Sequence, residues 1–506
     1  MESQSLLREI ESFPLEHHNT QRRPLDETIS GSKHRVVRRT CKFCEKVWLG
    51  LIPSFLSRTT KVEDRSSNNT AFLDGLRGLF AIAVVNQHIF GSFEKSTYYG
   101  FGLSAHESAQ CSYRHEEIPF SRGFFQLPII RLTHAGDAGV CVFFVLSGFV
   151  LSFHALGEAH RQNWQKMLST LSSSTFRRGL RLFLPLLAST MFTMITLQLG
   201  LWEFSHSIVY NRAIMRGVPE RQPERMSSFG AQLKHWLLSW SHLTNIWSWE
   251  EYISPYDVHL WTIPSEFRAS MLLYLVLLST GRLLLVIRDL LLASFVIYAY
   301  CWGRWDVCLF LSGALLADTV HARNMEIIPE GQPEAIKRLW KERSKLALQL
   351  ASITCSLFLL SSPTFCVDYT PGYRLLAQLI PSFDRQPYRF FPGLGAILLV
   401  GVLVHTNIEL PFRLCLLTTP FVQYLGRISY SIYILHGPLL HLVGYPLFPA
   451  LWEITGKDEM WRYVLGFIAG WLIFFFLLVW ISDFFCRWID EESMRFSKWV
   501  EFKLLA

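Results

Sequence analysis

The sequence predicts an all-α, polytopic membrane protein with about ten transmembrane helices. Half of its 506 residues are apolar and only 18% are charged, against about 25% charged in a soluble protein. The mean hydropathy is +0.23, and the apolar residues fall in blocks of roughly 20, the length that spans a bilayer. The 39 Phe and 17 Trp suit lipid-facing surfaces and interfacial belts.

The predicted spans are 72–93, 136–156, 179–202, 259–280, 284–301, 304–320, 346–363, 390–406, 428–448 and 461–485. The apolar stretch 414–425 is short and contains Pro420, so it reads as a re-entrant segment or a helix start, with an eleventh span as the alternative. With the N-terminus inside, 31 of the 48 Lys and Arg lie in or at inner segments and 15 in or at outer ones. That bias predicts that both termini are cytosolic.

Residues 1–68 are polar and basic, without an early apolar stretch and cleavage site. They read as a largely disordered cytosolic tail with a short in-plane apolar segment at 47–56. The membrane domain follows over 69–490, and 491–506 form a cytosolic C-terminal tail. The sequon Asn68-Asn69-Thr70 faces the cytosol in this topology and is expected to be unmodified. Cys41 and Cys44 form a lone C-x-x-C; with no second pair, no metal site is expected. Cys111 and Cys366 would both be lumenal, and the sequence leaves their pairing open.

The first span, "FLDGLRGLFAIAVVNQHIF", carries Asp74, Arg77 and His88. Arg77 and His88 are 11 residues apart, about three turns, so they share one face about 16 Å apart. Asp74 joins that face one turn earlier. Snorkelling of Arg77 and a bundle hydrogen bond for His88 are the plain alternative. "FRRGLRLFLP" opens the third span with Arg177, Arg178 and Arg181 on the same side as Arg77. Such guanidinium groups hold phosphate oxygens in bidentate fashion, although basic residues at a span start are also topology signals. "VFFVLSGFVLS" brings Ser147-Gly148, by default a helix-packing pair. "HLWTIPSEFRASMLLY" carries Glu266 and Arg268, and "LGRISYSIYILHGPLL" carries Tyr430, Tyr433 and His436. A carboxylate within a span needs a partner, either Arg268 or a residue across the bundle.

Taken in order, "FLDGLRG" with Arg77-x10-His88, "FFVLSGF", "RRGLRLFLP", "LWTIPSEF", "FLSGALLA" and "ISYSIYILH" resemble the acyltransferase 3 family of integral membrane O-acyltransferases over about residues 70–490. The tail before residue 70 looks like a fungal elaboration. Arg268 departs from many bacterial members, which have a more acidic or Gln-containing run there. This leaves open whether Glu266 acts in chemistry or in an ion pair.

The resemblance implies transfer of an acyl group, by default acetyl, from acyl-CoA to a hydroxyl of a carbohydrate, lipid or secondary metabolite. Arg77, Arg177, Arg178 and Arg181 are then the candidates to bind the CoA phosphates. His88 is the candidate base or acyl carrier, and Glu266 its candidate partner. The expected partners are acyl-CoA, the acceptor and the lipid bilayer, with no nucleic acid. The expected location is the endoplasmic reticulum, Golgi or plasma membrane. Intramembrane His, Glu and Arg also occur in proton-coupled transporters, the competing class. "WLLSWSHLTNIWSWEEY" (236–252) reads as an interfacial segment.

Overall fold

The structure is a computed structural model, and it describes residues 53–54, 70–111, 122–325, 335–406 and 416–505. The chain divides into Met1–Thr60 and Lys61–Ala506; the fold below is that of the second unit. The basic tail, most of the 47–56 segment, the Cys41/Cys44 pair, and Asn68 and Asn69 of the sequon lie outside the described residues.

The described residues are mostly helical and contain no strand. Ten helices have 16 residues or more, and each covers one of the predicted spans. They are α1 (Ala71–Phe93), α2 (Gly136–His160), α3 (Trp164–Gln198), α4 (Thr262–Thr280), α5 (Leu285–Cys301), α6 (Trp305–Met325), α7 (Ala335–Leu360), α8 (Phe390–His405), α9 (Pro420–Leu439) and α10 (Met460–Phe485). Five helical segments are long and apolar enough to cross a membrane: Gly136–His160, Trp164–Gln198, Pro387–His405, Pro420–Thr455 and Met460–Leu504.

Three boundaries differ from the sequence expectation. Helix α3 starts 15 residues before the predicted third span, with Asn163 as N-cap accepting from the Lys166 amide. Arg177, Arg178 and Arg181 therefore sit in the body of a long helix and not at its start. The apolar stretch 414–425 is resolved as a helix start, because the Thr419 hydroxyl caps α9 and Pro420 occupies its first turn, where a missing N–H costs nothing. Beyond α9 the rod continues through a π-type turn, Leu440–Gly444, into Tyr445–Thr455. In the loop predicted to be interfacial, the helix is Phe229–Leu243 and the remainder is irregular.

Glycines set the closest helix contacts. A Cβ on Gly148 would lie 2.0 Å from the Phe310 carbonyl oxygen, and one on Gly313 would lie 2.2 Å from that of Val145. The "LSGF" and "LSGA" motifs are thus the two sides of one α2–α6 contact, as small residues in membrane bundles allow. Helices α1 and α9 meet in the same way, with a Gly426 Cβ placed 2.2 Å from the Asp74 carbonyl oxygen. Helix α1 also fixes the start of α2, where Gln87 Oε1 accepts from the Gly136 and Asp137 amides. A disulfide joins Cys111 to Cys366, pairing the segments that follow α1 and α7.

Gly148→Ala and Gly313→Ala are expected to destabilise the protein by about 1–3 kcal/mol or more through overpacking against backbone. Gly230→Ala, whose added Cβ meets nothing within 4 Å, is expected to be neutral. Thermal unfolding of the detergent-solubilised protein measures all three.

Candidate active site

Helix α1 carries one polar group near each end, and each is met by residues from distant parts of the chain. Near the N-terminal end, Arg77 bonds Asp74 Oδ1 at 3.4 Å and Ser429 Oγ of α9 at 3.3 Å. Arg178 of α3 donates to Glu266 Oε1 at 2.7 Å and to Ser270 Oγ at 3.3 Å, both on α4. Ser147 of α2 donates to the same Glu266 oxygen at 3.1 Å. Arg181 lies within electrostatic reach of Arg77, Arg178, Asp490 and Glu266. Arg77, Arg178 and Arg181 therefore form one cationic group with two carboxylates interleaved. Arg177 turns away and pairs with Glu501 at 3.1 Å.

Near the other end, His88 stands in a cluster of imidazoles and carboxylates. Its Nδ1 lies 2.7 Å from Glu220 Oε1. His259 Nε2 is 2.9 Å from that same oxygen and 3.0 Å from His88 Nδ1. His259 Nδ1 lies 2.7 Å from Asp257 Oδ1, and the Asp257 side chain also caps the turn by accepting from the His259 amide at 3.0 Å. His436 of α9 packs with its ring centroid 4.3 Å from His259 and 5.2 Å from His88. Its Nδ1 donates to the Tyr433 carbonyl at 2.6 Å, while its buried Nε2 has no partner among the described residues. His441 Nε2 reaches Glu220 Oε2 at 3.4 Å and stacks on Trp202. One nitrogen each from His88, His259 and His436 lie within 4.8 Å of one another.

Local sequence explains how these groups meet. The Tyr433 hydroxyl donates to the His259 carbonyl at 2.6 Å and contacts Thr262 Oγ1 at 2.5 Å, so α9 fixes the turn that carries His259. Gly437 leaves room for that turn, since a Cβ there would lie 2.5 Å from His259 Nδ1 and 2.9 Å from Asp257 Oδ1. Burial alone pushes the Glu220 carboxyl up. The His259 and His88 rings beside it outweigh that and hold it well below the usual carboxylate range. Glu220 is thus an ionised carboxylate enclosed by imidazoles. A small pocket adjoins the cluster, lined in part by Trp202, Tyr256, Asp257, His259 and His441.

Glu266, considered from sequence as the partner of His88, is placed in the arginine group instead. It lies seven residues beyond His259, about 10 Å further along the chain direction of a helix. The carboxylate at His88 is Glu220. Arg268 does not take Glu266 either; it donates to the Ser248 carbonyl and Ser265 Oγ and lies over the Trp249 ring. His436, left open between packing and site, belongs to the cluster. Glu220, Asp257 and His259 were not singled out from sequence. His259 was within reach, because it begins the quoted "HLWTIPSEF". Glu220 sits in an irregular loop and gave no periodic signal.

A helical membrane protein with an intramembrane histidine–carboxylate cluster and a separate cationic group fits a membrane transferase. The acyltransferase 3 family, an acyltransferase domain, matches residues 70–487, and the chain belongs to that family. It is 32% identical over 480 residues to the O-acetyltransferase PaAT-1 of Phomopsis amygdali, covering 90% of this chain and 89% of that protein. It is 26% identical to the acyltransferase clz18 of Cochliobolus lunatus, with 83% and 93% covered. It is 24% identical to the acyltransferase R4 of a Phoma species, with 85% and 95% covered. No solved structure matches the chain. The protein is therefore an enzyme that transfers acyl groups, like its fungal relatives.

The Arg178–Glu266 pair is nearly buried, with side-chain exposures of 7% and 19%. Glu266→Gln strands the guanidinium and is expected to cost about 3–5 kcal/mol. Adding Arg178→Gln is expected to recover part of that loss, as a double-mutant cycle of thermal midpoints would show.

Proposed function

We propose that the protein is a membrane O-acyltransferase that moves an acyl group, by default acetyl, from acyl-CoA to an acceptor hydroxyl. The observation that carries this reading is that one helix bears Arg77 at one end and His88 near the other, about 16 Å apart. The cationic group suits the phosphates of CoA, and the thin pantetheine arm suits the path along α1 to His88. Arg177, paired with Glu501, is left a peripheral role at that mouth. Glu266 serves by holding Arg178. No metal is invoked.

In this reading His88 is the general base. Its Nδ1–H is donated to Glu220, and its Nε2 takes no hydrogen bond among the described residues, so a lone pair is free there. The acceptor oxygen attacks the thioester carbonyl as His88 Nε2 takes the hydroxyl proton. The new C–O bond forms and the C–S bond breaks. CoA leaves as the thiolate and regains a proton from the imidazolium, giving the ester and free CoA. The same nitrogen could carry the acyl group covalently, but its neighbouring carboxylate favours the base role, as in other histidine–carboxylate sites.

All ten long helices are assigned to the membrane in this reading, with both termini cytosolic, in an endomembrane or the plasma membrane. The Cys111–Cys366 disulfide supports that orientation, since disulfides persist in oxidising compartments and this one lies at the His88 end of α1. The relative named an O-acetyltransferase supports acetyl as the group moved. The fungal relatives support a secondary metabolite as acceptor, ahead of a carbohydrate or lipid. Family membership favours the transferase over proton-coupled transport.

Acetyl-CoA at 100 times its Kd should stabilise the detergent-purified protein by about 2.7 kcal/mol. That shift is expected to be lost in Arg77→Ala. His88→Ala should keep the shift and lose about 10²–10⁴-fold in transfer rate. No shift with any CoA ester in folded protein, or full activity in His88→Ala, would refute the reading.

A further inference from the structure

Glu220 reaches an intramembrane cluster from a loop, which raises the question of what holds it there. The loop is pinned at three points. Met215 is fully buried among Ile89, Phe93 and Tyr445. The Gly217 and Val218 amides donate to the Ser92 and Gly91 carbonyls at 3.0 and 2.8 Å, filling carbonyls that the end of α1 would otherwise leave open. Gln222 Nε2 bonds Ser205 Oγ at 2.6 Å and contacts His441 Nδ1 at 3.2 Å. The approach at the middle point is tight enough that a Cβ on Gly217 would lie 1.9 Å from the Gly91 carbonyl oxygen.

We propose that residues 215–222 form a strap whose purpose is to deliver Glu220, and that Glu220 is the positioning residue for His88 in the transfer reaction. This rests on the reading of His88 as base. The backbone bonds of Gly217 and Val218 and the burial of Met215 already dock the strap, so the carboxylate is not needed for docking. Its geometry serves the histidines instead. One oxygen, Oε1, takes both His88 Nδ1 and His259 Nε2, which fixes the His88 ring with Nε2 outward. Asp257 touches His259 and not His88 among the described contacts, and Glu266 is held by Arg178. When His88 accepts the hydroxyl proton, Glu220 keeps its hydrogen bond and faces the new cation, without exchanging a proton. Gly217 is the second element, because the strap comes this close to α1 only where no side chain intervenes.

The test uses the full-length protein, acetyl-CoA, and one fixed hydroxyl acceptor chosen from a panel, with CoA release as the rate. Glu220→Gln is expected to lower kcat by about 10²–10⁴-fold, leaving the KM for acetyl-CoA and its thermal shift unchanged. Glu220→Asp should restore part of the rate. Gly217→Ala should lower kcat with Glu220 chemically intact and the acetyl-CoA shift preserved. A kcat within a few-fold of wild type in Glu220→Gln, with His88→Ala inactive, would overturn the strap and spare the base. Loss of rate and acetyl-CoA shift together would make the strap merely structural and overturn the proposal. Full activity in His88→Ala would remove the base reading and this proposal with it.

Discussion

The site depends on the side-by-side packing of α1 and α9. Gly78 and Gly426 lie at that contact, where a Cβ on Gly78 would stand 2.6 Å from the Gly426 amide nitrogen. With the helices this close, their residues pair in nearly constant register. Gln423 donates to the Ala71 carbonyl, Arg77 to Ser429, and Ser92 meets Tyr445; His88 and His436 face each other between the last two. One backbone contact near the cationic end therefore also sets the histidines at the far end. Rigid helices transmit that placement better than loops would, and positions within an active site must hold to about half an ångström.

The α2–α6 contact shows why a motif rich in small residues need not be chemical. Gly148 and Gly313 are explained by helix approach alone, as the packing reading of Ser147-Gly148 had it. Ser147 goes further, because the closeness that its glycine neighbour permits puts its hydroxyl on Glu266. The motif thus serves packing through one residue and the cationic group through the next. The arginines are spaced accordingly, with Arg178 directed inward to Glu266 and Arg177, one residue away on the helix, directed to Glu501.

Much of this was legible in the sequence. Apolar blocks located all ten long helices, because burial in a bilayer or bundle imposes a long, uninterrupted apolar run. Helical spacing put Arg77 and His88 on one face, since 11 residues close three turns. What stayed hidden has a common cause. Glu220 is 39 residues from His259 and 132 from His88 in the chain, in a loop with no period to read, and only tertiary packing brings the three together. Glu266 misled for the opposite reason. An acidic residue within a span asks for a partner, but the sequence does not say whether that partner is the histidine or an arginine from α3. The start of α3 was missed because its first turns are polar, capped by Asn163, and carry no hydropathy signal.

Charged groups inside a bilayer are costly unless matched, and α1 bears both a guanidinium and an imidazole on one face. Each is matched by groups that could have been spared had the helix been apolar. Arg77 draws on Asp74 and Ser429, while His88 draws on Glu220 and, through it, His259 and His441. The bundle thus maintains two buried polar networks, each fully dependent on long-range contacts, at the ends of a single rigid rod. Packing alone does not explain such an arrangement, because apolar side chains of the same volume would fill the space at lower desolvation cost. A ligand does explain it. A molecule that engages both networks must be anionic at one end, reactive at the other, and slender over about 16 Å between them. A thioester on a phosphate-bearing pantetheine arm has that shape, so the spacing of Arg77 and His88 is itself an argument for the acyl donor.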